Sequence, residues 1–369
     1  MLQRIYVDNY KRLVNFELPL QELSLLLGRN GVGKTAVLDV LFGVRRLLSG
    51  TARITDADAF PTRTLTRWQE RDLQAFEFDV VLGPESYRYR LEVEHERASR
   101  LARVHQEELT SNGKPLFKCD LGRVQLYRDD HSAGPQYAVD WSESALARVA
   151  AGRDNRRLTR FRDFMNRVVV CGLQPAVLRT ESASEDALLE RDARNFADWY
   201  RHVALERPDL VPPFNTALAE VIDGFRSLRL ERVGRDTRAL MVTFDENGSD
   251  YELRFDEVSD GHRALIVLYG LIHLAGEEES SFLLDEPDNY VGLSEIQPWL
   301  IKLADVCGES IRQAVICSHH PELIDYLGGE AGLVLRGEAS GVVTARGLDR
   351  EQLEGGIKLS ERVARGWVG

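Results

Sequence analysis

The sequence contains little cysteine and lacks long hydrophobic runs. Its four cysteines are far apart among 369 residues and form no C-x-x-C pair, which argues against structural disulfides and against a zinc site. No uninterrupted apolar stretch approaches the ~20 residues that a membrane-spanning helix requires. The amino terminus lacks the basic-then-apolar order of a signal peptide. We therefore expect a cytoplasmic protein with ordinary buried thiols and no membrane partner.

Basic residues are fewer than acidic residues. The chain carries 47 lysine and arginine residues against 59 aspartate and glutamate residues, a formal net charge of -12. This excludes a globally electropositive nucleic-acid-binding protein, although a local basic groove stays open. Nearly all of the positive charge is arginine, whose guanidinium suits bidentate contacts with phosphate or carboxylate. The hydrophobic content of 43% is enough for a core, and the length allows one large domain or two of ordinary size.

What the sequence does contain is a glycine-rich turn between a predicted strand and a predicted helix. The stretch LLLGRNGVGKT matches the pattern G-x-x-x-x-G-K-T. Glycines allow positive φ angles, and the loop delivers its N–H groups to a phosphate at a helix N-terminus. We predict that the loop binds a nucleotide, with Lys34 reaching the β- and γ-phosphates and Thr35 ligating Mg²⁺. The predicted phosphate-binding residues are Gly28, Arg29, Asn30, Gly31, Val32, Gly33, Lys34 and Thr35.

A second motif lies in the carboxyl-terminal third, where SFLLDEPDNY gives an apolar strand that ends in two adjacent acids. Asp285 can hold Mg²⁺, directly or through its water shell, and Glu286 can orient and deprotonate the attacking water. The structural alternative is an acidic strand end before a proline turn. The intact glycine loop favours the catalytic interpretation.

Two further segments place polar residues beside predicted helix starts. In VSDGHR, Ser259 and Gly261 lead into a helix, an arrangement that favours an anion but also suits an ordinary N-cap at Ser259. In VICSHHPELID, His319 lies 34 residues after Asp285 (319 − 285), at the carboxyl end of the next predicted strand. Ligands gather at such strand ends in doubly wound sheets. We predict that His319 hydrogen-bonds the γ-phosphate or the lytic water, whereas His320 fits a capping role for the following helix.

The remaining pattern predicts the fold. Alternating strands run to about residue 139, a helical pattern covers 142–225, and buried strands then alternate with helices. The last alternation indicates a mostly parallel sheet covered on both faces. We predict a discontinuous head formed by residues 1–140 and 226–369, with a helical insertion subdomain at 141–225.

These four elements, in this order, resemble the Walker A, signature, Walker B and switch-histidine motifs of the ATP-binding cassette (ABC) ATPases. The signature reads SDGHR where transporters usually carry LSGGQ. The opening IYVDNYKRLVNFEL, together with DEPDNYVGL and SHHPELID, is similar to the SMC, RecF and OLD-type ATPases of DNA maintenance and defence. The resemblance implies an α/β P-loop NTPase of the ABC-ATPase head type, with a β-rich N-terminal lobe, a mostly parallel doubly wound core sheet and a helical insertion. The sequence departs from these relatives in two respects: it shows no long coiled-coil arm, as SMC proteins have, and no nuclease domain after about residue 345, as full-length OLD nucleases have. We therefore expect a stand-alone AAA-family ATP-binding protein.

The resemblance also implies a mechanism. Two heads meet head-to-tail as a homodimer, or a higher oligomer built from it, with each ATP between the Walker A loop of one head and the signature of the other. Ser259 and Gly261 would complete the γ-phosphate cage of the neighbouring head, and Asp288 and Asn289 would form a D-loop that crosses the interface. ATP closes the dimer and hydrolysis opens it, so the protein would be a switch as well as an enzyme.

Three points stay open in the sequence. The family's Q-loop glutamine, a magnesium ligand, is Gln174 or else Gln69 or Gln74. Lys11 and Arg12 either flank the nucleotide or are solvated charges on a turn. The segment from Arg148 to Arg167 holds seven arginines against two aspartates, a local charge of +5. It either contacts the phosphate backbone of DNA or is a solvated helix face paired with acids such as Glu181, Glu185 and Asp186.

Three functions follow from these motifs. The first is a switch ATPase in DNA maintenance or anti-phage defence that controls a separate effector or nuclease. The second is a nucleotide-dependent scaffold that binds a protein partner with little turnover. The third is a transporter nucleotide-binding subunit, which the 231 residues between Gly28 and Ser259 (259 − 28) argue against because they leave room for an inserted lobe.

Overall fold

The computed structural model describes residues 1–275, 280–338, 341–348 and 357–367, and the chain forms two compact units. The first unit comprises Met1–Val168 and Leu327–Gly369, and the second comprises Val169–Tyr326. The predicted division into a head and an insertion at 141–225 stays a prediction.

The first unit is built on an eight-stranded antiparallel sheet with the order β2-β1-β4-β5-β6-β7-β8-β9. Its strands are β1 (Leu2–Asp8), β2 (Phe16–Pro19), β4 (Leu73–Leu82), β5 (Glu85–Glu96), β6 (Leu101–Ser111), β7 (Lys114–Asp120), β8 (Arg123–Tyr127) and β9 (Ala133–Ala138). This sheet confirms the predicted β-rich N-terminal lobe.

Alternation of side chains explains the two faces of this sheet. Because successive strand residues point to opposite faces, one face is apolar and the other polar. On the apolar face, Tyr87 and Tyr89 of β5 pack on Phe161 of helix α2 (Arg156–Arg167), with ring centroids 5.7 and 5.6 Å apart. On the polar face, cross-strand ion pairs run between β1, β4 and β5, such as the pair of Arg4 with Asp79 at 2.7 Å.

The same unit carries the glycine-rich loop between β3 (Leu23–Leu27) and helix α1 (Lys34–Leu48). Strand β17 (Gly332–Gly337) pairs with β3 in parallel, and β18 (Val343–Gly347) pairs with β17 antiparallel. Helix α1 is apolar around most of its circumference and is buried along most of its length. Helix α8 (Leu359–Ala364) also belongs to this unit.

The second unit contains three parallel strands in the order β10-β15-β16, namely β10 (Val169–Cys171), β15 (Ser281–Asp285) and β16 (Gln313–Cys317). A small antiparallel sheet contains β11 (Glu181–Ser182), β12 (Phe225–Arg232), β13 (Arg238–Glu246) and β14 (Ser249–Arg254). The helices are α3 (Phe196–Glu206), α4 (Val211–Ala219), α5 (Asp260–His273), α6 (Leu293–Val306) and α7 (Pro321–Ala331), which begins in this unit. Parallel strands joined by helices, with a glycine loop between β3 and α1, confirm the predicted α/β fold class.

Buried aromatic residues organise the core of the second unit. Trp299 of α6 is fully buried and donates its indole N–H to the carbonyl of Leu268 in α5, 3.0 Å away. Gly270 allows α5 to approach α3 closely, because a Cβ at this position would lie 3.2 Å from the ring of Phe196. Both contacts anchor α5, the helix that follows the signature residues.

One element differs from the sequence pattern. The sequence FRDFMNRVVV has a helical pattern, but α2 ends at Arg167. Val168 is the C-cap of this helix, and Val169 is the first residue of β10. All three residues of β10 are buried, and β-branched side chains favour a pleated strand over a helix. The predicted helical region at 142–225 therefore contains α2, α3 and α4 but also two short strands. Cys119, Cys171 and Cys317 are buried, as expected for ordinary thiols. No helix in the described part of the chain has the length and hydrophobicity that a membrane crossing requires.

Candidate functional site

The glycine-rich loop has the backbone conformation that its sequence predicts. Gly28 and Gly33 adopt φ angles of 147° and 124°, which side-chain-bearing residues rarely take. At Gly28 a Cβ would also lie 2.6 Å from the carbonyl oxygen of Leu335 in β17. The loop is therefore restricted to glycine at this position by both backbone angle and space.

Two cations lie against this loop. Lys34 Nζ donates a hydrogen bond to the carbonyl oxygen of Gly28 at 2.8 Å. Arg12, in the turn after β1, donates from Nη1 to the carbonyl oxygen of Gly31, also at 2.8 Å. Lys11 instead pairs with Asp39 of α1. Of the two basic residues that the sequence left open, Arg12 is the one that contacts the phosphate-binding loop.

The start of α1 is suited to an anion. Gly33 is its N-cap and has no side chain with which to satisfy the first N–H groups, and its first turn contains no acidic residue. Unsatisfied N–H groups and the helix dipole together favour negative charge at this end. Thr35 is exposed here, as are Asn30 and Gly31, whereas Val32 is buried.

Arg29 shows a contact that the sequence did not predict. A Cβ on Gly366, which follows α8, would lie 3.0 Å from Arg29 Nη2. The carboxyl-terminal segment therefore runs beside the second residue of the glycine loop. No sequence signal links these two positions, which are more than 300 residues apart.

In the second unit, the acidic motif lies where the sequence predicts it. Asp285 is the last residue of β15, and the backbone N–H of Glu286 donates to the carbonyl of Cys317 at 2.8 Å. Asp285 and Cys317 are direct partners in the parallel register. The carboxyl ends of β15 and β16 therefore meet at one edge, which brings residues 318–319 beside the two acids.

Glu286 and His319 come together at this edge. Glu286 Oε1 lies 3.8 Å from His319 Nε2, and both side chains are 39% exposed. That distance suits an ion pair when the imidazole is protonated and is longer than a hydrogen bond. The other carboxylate oxygen, Oε2, accepts a hydrogen bond from Asn289 Nδ2 at 2.8 Å. The predicted base and the predicted switch histidine are thus neighbours across two strand ends.

Asp288, two residues after Glu286, is buried. Its side chain is 7% exposed in the folded chain, and burial raises the pKa of Asp288 while a hydrogen bond with Ser318 opposes the shift. Among the described residues, its Oδ1 has no hydrogen-bond partner. His320 Nδ1 accepts from the N–H of Glu322 at 3.2 Å, which gives His320 the capping role that the sequence predicts.

The signature residues begin helix α5. Ser259 is its N-cap, with Oγ accepting from the N–H of His262 at 3.3 Å. This bond uses an acceptor lone pair, whereas a phosphate contact would use the O–H donor, so the two predicted roles are compatible. A Cβ at Gly261 would lie 3.1 Å from the carbonyl oxygen of Tyr290. The signature corner therefore packs against the segment that follows the acidic motif.

The structure also narrows the choice of glutamine. Gln174 is exposed and follows β10, the parallel neighbour of β15, and a Cβ at Gly172 would lie 3.5 Å from that of Asp285. Gln74 is fully buried, and its amide donates to the carbonyl of Asn9 at 3.0 Å. Gln69 accepts from Arg71 Nε at 3.3 Å. The segment that carries Gln174 therefore lies beside Asp285, whereas Gln74 hydrogen-bonds within the core of the first unit. The assignment of the Q-loop glutamine stays a prediction.

The described side chains are too few to bind a magnesium ion by themselves, so a nucleotide would have to supply further ligands. No group of three or more His, Cys, Asp or Glu side chains in the described ranges could hold a metal ion. Magnesium commonly binds one or two protein ligands together with substrate phosphates. Thr35 of the first unit and Asp285 of the second unit each carry an oxygen donor of the kind that Mg²⁺ prefers.

The arginine-rich segment is partly neutralised. Arg148 pairs with Glu143, and Arg157 pairs with Glu85 at 3.0 Å. The acids named from the sequence have partners of their own in the second unit, where Glu181 pairs with Arg254, Glu185 lies 3.9 Å from Arg201, and Asp186 accepts from Asn195. The pairing acids found in the first unit therefore differ from those that the sequence suggested. Exposed arginines of this segment are Arg148, Arg153, Arg156, Arg160 and Arg167.

Comparisons with known proteins show what the whole chain is similar to. No curated protein shows significant sequence similarity to the chain. The SMC head domain from Thermotoga maritima is similar in structure over 94% of this chain and 99% of its own, with 13% identical residues and a TM-score of 0.47. Residues 23–325, which run from β3 past His319, match the family model described as "AAA domain, putative AbiEii toxin, Type IV TA system". Because this match covers most of the chain, the protein belongs to that family of AAA-domain P-loop ATPases.

Proposed function

We propose that the protein is an ABC-type switch ATPase that closes head-to-tail around ATP and opens after hydrolysis. Membership in an AAA family supports ATP binding and hydrolysis in general. The single observation that carries the finer proposal is the approach of Glu286 to His319, 3.8 Å between Oε1 and Nε2, at the strand end that also carries Asp285. A carboxylate and an imidazole at the end of a parallel strand are the groups that water activation needs.

The glycine loop holds the triphosphate in this proposal. Backbone N–H groups from Gly28 to Gly33 and the start of α1 contact the phosphate oxygens. Lys34 exchanges the Gly28 carbonyl for the β- and γ-phosphates, and Arg12 adds a second cation at the loop. Thr35 and Asp285 would hold Mg²⁺, with Gln174 as a further ligand. The ion would supply positive charge that offsets the negative charge of the phosphoryl group.

The acidic edge of the second unit activates the water. Glu286 accepts a proton from the attacking water through Oε1, the oxygen that faces His319. His319 donates a hydrogen bond to the γ-phosphate or to the water and so fixes its line of attack. The proton moves from water to the Glu286 carboxylate and leaves with the phosphate product.

A second copy completes the site. Ser259 and Gly261 of the partner subunit, with the N-terminus of its α5, contact the γ-phosphate from the opposite side. The turn of Asp288 and Asn289 lies at the interface through the exposed Asn289, since Asp288 is buried. The state of the nucleotide then sets whether two heads are closed or open. Such a dimer, or a higher oligomer built from it, is a switch that an effector can read.

The biological role in this proposal is DNA maintenance or anti-phage defence through a separate effector or nuclease. The family description names a toxin of a type IV toxin–antitoxin system, which supports a role in defence. Duplex DNA is a candidate partner through the exposed arginines of α2. A scaffold that binds a protein partner with little turnover is the alternative, and measured steady-state hydrolysis separates the two. A transporter nucleotide-binding subunit is the third candidate and has the least support.

Replacement of the proposed base tests the mechanism. Glu286→Gln should keep ATP affinity but slow hydrolysis by about 100-fold or more, because general-base catalysis contributes on that order. The variant should accumulate an ATP-bound dimer, seen by size-exclusion chromatography with light scattering. Glu309→Gln, an exposed acid of the same unit, is the matched control and should behave as wild type. Unchanged hydrolysis by the Glu286→Gln protein would remove Glu286 from this role.

A further inference from the structure

Glu286 adopts an unusual backbone conformation. Its φ angle is 49°, in the left-handed region that residues other than glycine seldom occupy. The residue lies in a tight turn in which the N–H of Asn289 donates to the Glu286 carbonyl at 3.3 Å. A left-handed conformation is unfavourable for a residue other than glycine and persists only where the surroundings of that residue fix it. The chain therefore holds Glu286 in a defined direction at the strand end.

The side chain of Glu286 is also held. Asn289 Nδ2 donates to Oε2 at 2.8 Å, while Oε1 is the oxygen that faces His319. The two carboxylate oxygens therefore have different surroundings, one tied to the turn and one directed toward the imidazole. An amide donor suits the carboxylate because it offers N–H groups without adding charge.

The turn that carries Asn289 is anchored on both sides. Asp288, which precedes it, is buried and hydrogen-bonds Ser318, the residue before His319. The carbonyl of Tyr290, which follows it, lies where a Cβ on Gly261 would be 3.1 Å away. The neighbours of Asn289 thus contact the histidine segment and the signature corner, so the exposed Asn289 side chain projects from a fixed backbone.

We propose that Asn289 is a positioning residue for Glu286. This inference rests on the proposed function, in which Glu286 is the general base, and adds a requirement to it. The Asn289 amide holds Oε2 so that Oε1 presents its lone pairs to the water beside His319. Without this bond the carboxylate rotates among several orientations, and the share of molecules with Oε1 in the productive direction falls.

Two substitutions of the same residue separate this role from packing. Asn289→Ala removes the donor and should lower kcat by about tenfold, the order expected from one hydrogen bond to a charged group. Asn289→Asp keeps the size and shape of the side chain but replaces the donor with a like charge, and should lower kcat more than Asn289→Ala. Both should leave the KM for ATP and the affinity for a fluorescent ATP analogue unchanged, because Asn289 contacts the base and not the nucleotide.

A double-mutant cycle distinguishes a positioning role of Asn289 from a merely structural one, because only a positioning role makes the effect of Asn289→Ala depend on Glu286. In a Glu286→Gln background, Asn289→Ala should cause no further loss of kcat, because the carboxylate that it positions is absent. Additive losses in the two backgrounds would overturn the inference. Asn247→Asp, in the exposed turn between β13 and β14, is the matched control for an added charge and should leave kcat unchanged.

The outcomes distinguish this inference from the proposal beneath it. A wild-type chain that hydrolyses no ATP would overturn the proposed function, and this inference with it. A hydrolysing wild type whose Glu286→Gln variant is slow, but whose Asn289→Ala and Asn289→Asp variants keep full kcat, would overturn the role of Asn289 alone. Thermal unfolding of each variant, monitored by circular dichroism, should match wild type because the Asn289 side chain is exposed.

Discussion

The ammonium of Lys34 donates a hydrogen bond to the carbonyl oxygen of Gly28, 2.8 Å away, and so ties the lysine of the glycine loop to its first residue. Lys34 is only 6% exposed. The loop itself therefore supplies an acceptor for this buried cation. A bound triphosphate has to replace this neutral carbonyl with anionic oxygens, which form stronger, charge-assisted hydrogen bonds.

Replacement of this lysine should prevent nucleotide binding. Each charge-assisted bond contributes about 1.5–3 kcal/mol, so Lys34→Ala should weaken ATP binding by about 100-fold or more. Titration with a fluorescent ATP analogue measures the change. Lys114→Ala, at the exposed start of β7, removes the same charge elsewhere in the unit and should bind normally. ATP affinity that survives in the Lys34→Ala protein would show that another group holds the phosphates.

Gln174 should affect magnesium rather than nucleotide. It follows the strand beside Asp285, so its loss should raise the Mg²⁺ concentration for half-maximal hydrolysis by about tenfold, the order seen when support of a metal site is removed. Hydrolysis by Gln174→Ala is measured across a magnesium titration at saturating ATP. Gln69→Ala is the control, since Gln69 already accepts from Arg71. The opposite pattern would move the role to Gln69.

Substitutions in the arginine-rich segment from Arg148 to Arg167 test the hypothesis that the protein binds DNA. Arg153 and Arg156 are exposed, and replacing both with glutamate should reduce affinity for duplex DNA. In a plot of the logarithm of the DNA association constant against the logarithm of the salt concentration, the magnitude of the slope should decrease by about two. Each lost phosphate contact contributes about 0.9 to that slope. Arg207→Glu with Arg232→Glu makes the same charge change in the second unit and serves as the control. Wild-type protein that neither binds DNA at low salt nor hydrolyses ATP faster with it would make this segment a solvated face paired with Glu143 and Glu85.

His95 should make the first unit sensitive to acid. It lies in a buried polar cluster, with Nε2 2.9 Å from Gln74 Oε1, and burial lowers the pKa of His95 from 6.5 to about 4. Between pH 6.5 and pH 4, His95 binds more protons in the unfolded chain than in the folded chain. The free energy of unfolding therefore falls as the pH drops through this window, by about 2 kcal/mol between pH 7 and pH 5.

Urea unfolding at pH 7 and pH 5 measures this dependence. His95→Gln should be less stable than wild type at pH 7 but should lose less stability on going to pH 5. His202→Gln, at a half-exposed histidine of α3, should keep the wild-type difference between the two pH values. Equal pH dependence in wild type and His95→Gln would assign the acid sensitivity to other groups.

Much of the site could be predicted from the sequence because its motifs are local. The conformation of the glycine loop depends on residues that are adjacent in the chain, and glycine is required at Gly28 and Gly33 by their own φ angles. The position of Asp285 at a strand end and the capping role of His320 are local in the same way. The strand β10 was missed because three valines after a helical segment carry no periodicity that separates helix from strand.

The sequence by itself determined which chemical groups the protein has and the local backbone on which each one lies, since neighbouring residues decide strand, turn and helix start. Only the tertiary structure decided which groups meet. The parallel register of β15 and β16 brings Glu286 to His319, and β10 brings the segment of Gln174 beside Asp285. Gln74 is buried and hydrogen-bonds the carbonyl of Asn9, and Glu143 and Glu85 are the acids that pair with arginines of the arginine-rich segment. These pairings depend on strand order and register, which are set by packing across the whole unit and not by any short stretch of chain.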